Sequence, residues 1–422
     1  MGWQAAADAP SATIATPAAW RKSDPSIKTA ALAPDALAAW WTQLNDPLLD
    51  QLISESLSAA PDVRSAQARL QQSRASRDLA TANLYPSIGA STSATRSRSS
   101  SSNTQTLYAT GFDAAWEPSI FGGLRDAATG AEADAAASAA SLDSVRASLA
   151  AEVALNYINL RTAQRRLGIA RDNVASQSET LQITEWRAQA GLVTALDVEQ
   201  ARTNFEQSRA SIPSLEISRA EAENHLALLT GCAAGSLHER LDAVAALPRA
   251  PDAVAVGIPA DTIRQRPDIR AAEFTLKAEI ARTAESEADR YPSLNLSGSL
   301  GWQALSVASL GGGSNLVRSL AGSLAATLFD GGRIRSRIVV QNAVQEQALI
   351  AYEKSMLTAF EDVENALTAY AMGRERVDSR QKAAESARNA NTLARTLYQA
   401  GSTDFQKVLD TDRTRLTAED AS

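Results

Sequence analysis

A single cysteine, Cys232, stands among the 422 residues, so this chain has no disulfide framework and no multi-cysteine metal site. Histidine is almost as scarce: His225 and His238 are 13 residues apart, which leaves little room for histidine chemistry or metal ligation. Aromatic residues make up only 5%, and much of the 45% hydrophobic content is alanine, a composition suited to light, helical packing. Basic charge is not in excess. Lys plus Arg number 41 against 48 Asp plus Glu, giving a net charge of -7 and no expectation of a nucleic-acid partner. No run approaches the ~18 consecutive apolar residues of a transmembrane helix, which excludes a helical membrane protein. The start, Met1-Gly2-Trp3-Gln4-Ala5-Ala6, lacks a secretory signal, and alanine at position 6 excludes a myristoylation signal. Gly-rich phosphate loops, Ser-His-Asp sets and zinc spacings are also missing, so neither a cofactor nor an enzyme is expected.

What the chain does contain is a long internal repeat. Pro61-Asp62-Val63-Arg64 recurs as Pro267-Asp268-Ile269-Arg270, and Tyr85-Pro86-Ser87 as Tyr291-Pro292-Ser293, both at an offset of 206. Aligning 61–87 with 267–293 without gaps gives 10 identities in 27. Phe121-Gly122-Gly123 answers Phe329-Asp330-Gly331-Gly332 at offset 208, and Ala190-Gly191 answers Ala400-Gly401 at 210. A duplicated unit is expected, far longer than a solenoid repeat. The division is an extended segment over 1–35, a first repeat over 36–247 and a second over 248–422. The second is C-terminally short, because Ser422 matches Ile212 while the first return helix should continue to Leu229.

Each unit reads as helix, two strands, very long helix, turn and return helix. Proline is absent between Pro118 and Pro213 and again after Pro292, so 122–190 and 332–400 can each run as one helix, about 100 Å at ~1.5 Å per residue. Val153, Leu160, Leu167, Val174 and Leu181 recur every seven residues, as do Leu349, Met356, Val363 and Tyr370, which predicts coiled-coil packing. Gly191 and Gly401 should close these helices as left-handed C′ residues.

Between the helices the period switches to two. Leu294, Leu296, Leu300 and Trp302 alternate with serine, asparagine and glutamine; Tyr108, Phe112 and Trp116 oppose Gln105, Asp113 and Glu117; Leu320, Leu324 and Leu328 share a face. The strand at 86–96 is weaker. Two hairpins, 86–117 and 291–330, are expected, joined through the Ser-rich turn 97–103 and the Gly-rich turn 311–315. Segments of ~10 alternating residues mark transmembrane β-strands, although a half-buried sheet in a soluble protein alternates in the same way. Helices running away from the sheet leave its oily face to lipid. Four strands do not close a barrel, and open edges are not tolerated in lipid, so several copies must supply the ring.

These residues resemble a known family. Gln265-Arg266-Pro267-Asp268-Ile269-Arg270-Ala271-Ala272-Glu273, the Tyr-Pro-Ser strand starts, Leu328-Phe329-Asp330-Gly331-Gly332-Arg333 and Leu228-Leu229-Thr230-Gly231 are similar to the outer-membrane efflux proteins, TolC-like channels of the OprM/NodT branch. The resemblance implies an α+β membrane protein in which a homotrimer builds a 12-stranded outer-membrane β-barrel continuous with a periplasmic α-helical barrel. It implies the outer-membrane duct of a tripartite efflux system, working with a membrane-fusion adaptor and an inner-membrane pump. A type I protein-secretion duct, or a filament-type structural protein, is the alternative. Relatives of this branch usually begin at a lipidated cysteine, and none lies near this N-terminus. Also by resemblance, Gly191, Leu192, Val193, Leu196, Asp197, Gly401, Ser402 and Thr403 form adaptor-docking tips. Leu409-Asp410-Thr411-Asp412-Arg413 matches the stretch that keeps the entrance closed, which assigns gate roles to Asp410 and Arg413, with Asp404, Gln406 and Asp412 beside them. The competing reading of Asp410 and Arg413 is an exposed i,i+3 ion pair.

Overall fold

The structure is a computed structural model, and it describes residues 39–98, 104–251 and 263–421, with 17, 19–21, 27–29 and 254–256. The expected extended segment 1–35 and the Ser-rich turn therefore lie largely outside the described residues.

Proline and aspartate fix the starts of the shorter helices. The first, α1 (Pro47–Ala59), opens with Pro47 behind Asp46, whose carboxylate accepts from the backbone N–H groups of Leu48 and Leu49 at 3.0 and 3.2 Å. Its face of Leu49, Leu52 and Ile53 is fully buried. The repeated Pro-Asp-Val/Ile-Arg starts α2 (Pro61–Ala82) and, 206 residues on, α6 (Pro267–Ala288).

The long helices form as the absence of proline allows. α3 (Gly123–Gln189) and α7 (Arg333–Gln399) each have 67 residues, and each ends in a glycine, Gly191 at φ 72° and Gly401 at φ 73°. Leu192 N–H donates to the Arg187 carbonyl and Gly191 N–H to Ala188, and Ser402 and Gly401 repeat the pattern on Leu397 and Tyr398. Both closures are Schellman motifs, which satisfy the last carbonyls of each helix. The chain then returns as α4 (Ala195–Leu229) and α8 (Phe405–Ala421). A four-residue helix, α5 (His238–Leu241), follows α4.

The compact units do not coincide with the two repeats. One takes mainly 65–144 and 263–358, the other mainly 145–262 and 359–422, so each draws on both copies. The first unit holds a four-stranded antiparallel sheet of β2 (Ser87–Ser97), β3 (Gln105–Trp116), β5 (Ser293–Ala304) and β6 (Leu316–Ala325), in the order β2-β3-β5-β6. The copies meet at the central pair, where Phe112 lies opposite Leu300 and Gly111 opposite Gly301. A Cβ on Gly301 would lie 2.5 Å from the Thr110 carbonyl oxygen, so only glycine lets the two hairpins join there. At the strand roots Phe121 stacks on Tyr291 with centroids 5.0 Å apart, again one residue from each copy.

In the second unit, Tyr157 and Arg161 of α3 hold the surrounding segments. The Tyr157 hydroxyl donates to Asp46 at 2.7 Å, Arg161 Nη1 donates to the Ala243 carbonyl at 2.6 Å, and Gln164 reaches the Leu241 carbonyl at 2.6 Å. Burial, reinforced by the Asp46 carboxylate, pushes the Tyr157 phenol up to about 12. α4 closes at Gly231, where a Cβ would meet the Ala59 carbonyl at 2.8 Å, so its end abuts the α1–α2 joint. α1, α5 and a short parallel pair of β1 (Ile27–Thr29) with β4 (Val254–Val256) have no counterpart in the sequence reading.

Candidate channel wall and entrance

The sheet separates its residues by face as the alternation predicts. Pairing Phe112 with Leu300 and Leu294 with Leu324 puts Tyr108, Phe112, Trp116, Leu294, Leu296, Leu300, Trp302, Leu320 and Leu324 on one side, with Ile88 of β2. The other side carries Ser87, Ser91, Ser93, Asp113, Asn295, Ser297, Ser299, Gln303, Ser319 and Ser323. Cross-strand hydroxyl contacts knit this polar face: Ser91 donates to Asp113 at 2.8 Å, and the Ser299 and Ser319 hydroxyls lie 2.8 Å apart. Among the described residues no core covers the oily face, and Leu320 is 88% exposed. Every residue of both edge strands, β2 and β6, is exposed.

Leu328 departs from the expectation. β6 ends at Ala325, and Leu328 lies in the loop before α7, off the sheet face. The loop belongs to the next helix. Asp330 accepts from the backbone N–H groups of Gly332 and Ile334 at 2.8 and 2.7 Å, which caps α7 and holds its carboxyl below the ordinary range. The hairpin expected over 291–330 accordingly pairs over 293–325.

At the helix turns of the second unit, cap chemistry and exposed apolar groups coexist. Thr194 and Asp197 form a capping box: the Asp197 carboxylate accepts from Thr194 N–H at 2.8 Å, and the Thr194 hydroxyl from Asp197 N–H at 3.3 Å. Asp404 does the same work for α8, accepting from Lys407 N–H at 3.0 Å. Leu192 and Leu196 are 67% and 65% exposed, Val193 and Thr403 are half-buried, and Gly191, Gly401 and Ser402 are exposed.

The gate residues separate onto two faces of α8. Phe405, Val408, Leu409 and Asp412 recur at helical spacing and point inward, Phe405 against Tyr398 with ring centroids 5.5 Å apart. Gln406, Asp410 and Arg413 are exposed. The i,i+3 ion pair of the competing reading does not form within the chain: Asp410 accepts from Gln406 at 3.3 Å, and Arg413 donates to Asn204 of α4 at 3.1 Å.

Comparison with known proteins decides what this architecture is. The sequence pattern of the outer membrane efflux protein family matches residues 52–232 and 258–422. The chain belongs to that family. It is 32% identical to the pyoverdine export outer membrane protein OpmQ of Pseudomonas putida, over 97% of this chain and 88% of that one. To nodulation protein T of Rhizobium leguminosarum bv. viciae it is 30% identical, over 90% of this chain and 78% of the relative. Among solved structures it superimposes on the outer-membrane channel OprN with a TM-score of 0.89 and 33% identity, covering 97% of this chain and 93% of that one. It is therefore an outer-membrane efflux channel component, with the fold of the TolC-like ducts, sited in the outer membrane.

In this efflux protein Asp412, set beside the gate by resemblance, is buried, unlike the exposed Asp410. It is 3% exposed and accepts from Gln177 of α3 and from Arg415 at 3.1 Å, with Arg395 of α7 at 3.6 Å. Arg415 reaches on to Asn173 at 3.0 Å and Glu419 at 2.8 Å, and Glu419 to Arg388 at 2.7 Å. This network fastens α8 to both long helices. Its signal was present in the sequence, since Asp412 stands seven residues after Phe405 in the inward row.

Proposed function

We propose that three copies of this chain join their sheets into one 12-stranded barrel in the outer membrane, continued by their helices into a periplasmic tunnel. Small molecules delivered by an inner-membrane pump and a periplasmic adaptor leave through it, and the duct itself is passive. The observation that carries this reading is the uncovered oily face of a sheet with two open edges. Each unpaired edge group in hydrocarbon costs several kcal/mol, and a neighbouring copy relieves that cost on both sides. The helices support the same assembly. Leu349, Met356, Val363 and Tyr370 of α7 are only half-buried in one chain, and Ile350 and Leu357, seven apart, are exposed. The repeats 36–247 and 248–422 are then two descendants of one hairpin-bearing unit.

Export of small molecules is favoured over protein secretion because relatives carry names such as pyoverdine export protein and toluene efflux pump component. The exposed Leu192 and Leu196, with Val193, are the adaptor's landing surface. Asp410 is the gate carboxylate. Symmetry gathers one from each copy near the axis, where like charges repel unless Arg413 or a neighbour offsets them, and Gln406 takes the place of a hydrophobic plug. Mass measurement in detergent should give a trimer. In planar bilayers Asp410→Ala combined with Arg413→Ala should raise single-channel conductance; an unchanged conductance removes the gate assignment.

A further inference from the structure

The oily face of the sheet carries only two charges among its described positions, Arg96 on β2 and Arg318 on β6. No acidic residue shares that face, since the one carboxylate of the sheet, Asp113, lies on the polar side. Neither arginine has a hydrogen bond or ion pair among the described residues, and both are exposed. Arg318 sits between Leu316 and Leu320 on its strand and opposite Leu300. A bare guanidinium among leucines is unfavourable in hydrocarbon, and much less so at headgroup depth.

Both arginines stand near the hairpin-loop ends of their strands: Arg96 is one residue before the end of β2 at Ser97, and Arg318 two residues after the start of β6 at Leu316. Tyr108 and Trp302 occupy the same end of β3 and β5, and such rings gather at the boundary between acyl chains and headgroups. The placement on strands is more telling still. β2 and β6 are the two edges of the sheet, and ring closure sets β6 of one copy beside β2 of the next. The two strands that carry these cations would thus lie side by side only across that joint.

Resting on the trimeric barrel, we infer that the seam between copies binds a phosphorylated lipid of the outer leaflet, held by Arg318 of one copy and Arg96 of the partner subunit. Guanidinium groups donate paired, planar hydrogen bonds to phosphate oxygens, and two of them match a lipid with two phosphates. The leucines beside Arg318 receive its acyl chains. The lipid is incomplete as a ligand for one chain alone, so binding also fastens the seam.

Native mass spectrometry of the full-length protein in detergent tests this, with bisphosphorylated lipid A and its dephosphorylated form as probes. The wild-type trimer should retain the bisphosphorylated lipid, and Arg96→Gln with Arg318→Gln should lower the apparent affinity roughly thirty-fold, from about a fivefold loss at each basic group. Equal retention of the dephosphorylated lipid by the wild type overturns the inference even where the double variant assembles poorly. So does a double variant that stays trimeric and keeps its lipid. A wild-type monomer removes the barrel reading itself, and the seam with it.

Discussion

Two aspartates two positions apart on α8 have opposite situations, and this is where a single residue matters most. Asp412 is enclosed by Gln177, Arg395 and Arg415, whereas Asp410 faces outward with Gln406. Removing one partner of a buried charge cluster leaves the others uncompensated, so Asp412→Ala should cost on the order of 3 kcal/mol. Asp410→Ala should stay within about 0.5 kcal/mol. Denaturant midpoints of the two variants, with limited proteolysis of α8, check the contrast. A second residue-level prediction concerns pH. His238 lies 2.9 Å from Glu223, whose hydrogen bond raises the imidazole above its ordinary value. A raised folded-state value means that the contact adds stability below the unfolded histidine range, and that this is lost as pH rises through the elevated value. An NMR titration of His238 should give a higher midpoint in the wild type than in Glu223→Gln.

At the scale of elements, the joint between the two hairpins is the sensitive point. Gly301→Val places carbon against the Thr110 carbonyl and Gly111, so β3 and β5 should separate. Helix content by circular dichroism should remain near that of the wild type, while heat-resistant assembly in detergent is lost. At the helix turn, Gly191→Ala forces a side chain into φ 72° and should cost about 1 kcal/mol. Periodicity made most of these elements legible: missing proline gave the long helices to within a residue or two, and period-two alternation gave the strand faces. One misplacement remained, and it has a cause. Leu328 continued the alternation in letters, but Asp330 and the glycines after it had already committed that stretch to capping α7. The burial of Asp412 was itself legible, in its seven-residue spacing from Phe405. The contacts of Tyr157 and Arg161 join segments 82 to 111 residues distant, which no local pattern reveals.

For the whole molecule, the apolar surface left by one chain is the measure of what is missing. Ile350 and Leu357 on α7 are 55% and 56% exposed. Replacing both with glutamate should shift the detergent mass from trimer toward monomer with the far-ultraviolet spectrum retained. If the trimer persists unchanged, that face of α7 is not a contact between copies.

The glycine pair at the centre of the sheet carries a consequence for how the wall is divided. β3 and β5 are spliced backbone to backbone within one polypeptide, whereas β2 and β6 keep open outer edges that pair with other copies in the proposed barrel. In that proposed barrel the wall alternates between permanent joins and separable ones. A strand-directed peptide or macrocycle, designed to imitate either outer edge, could cap a newly made subunit before insertion while leaving the finished ring untouched.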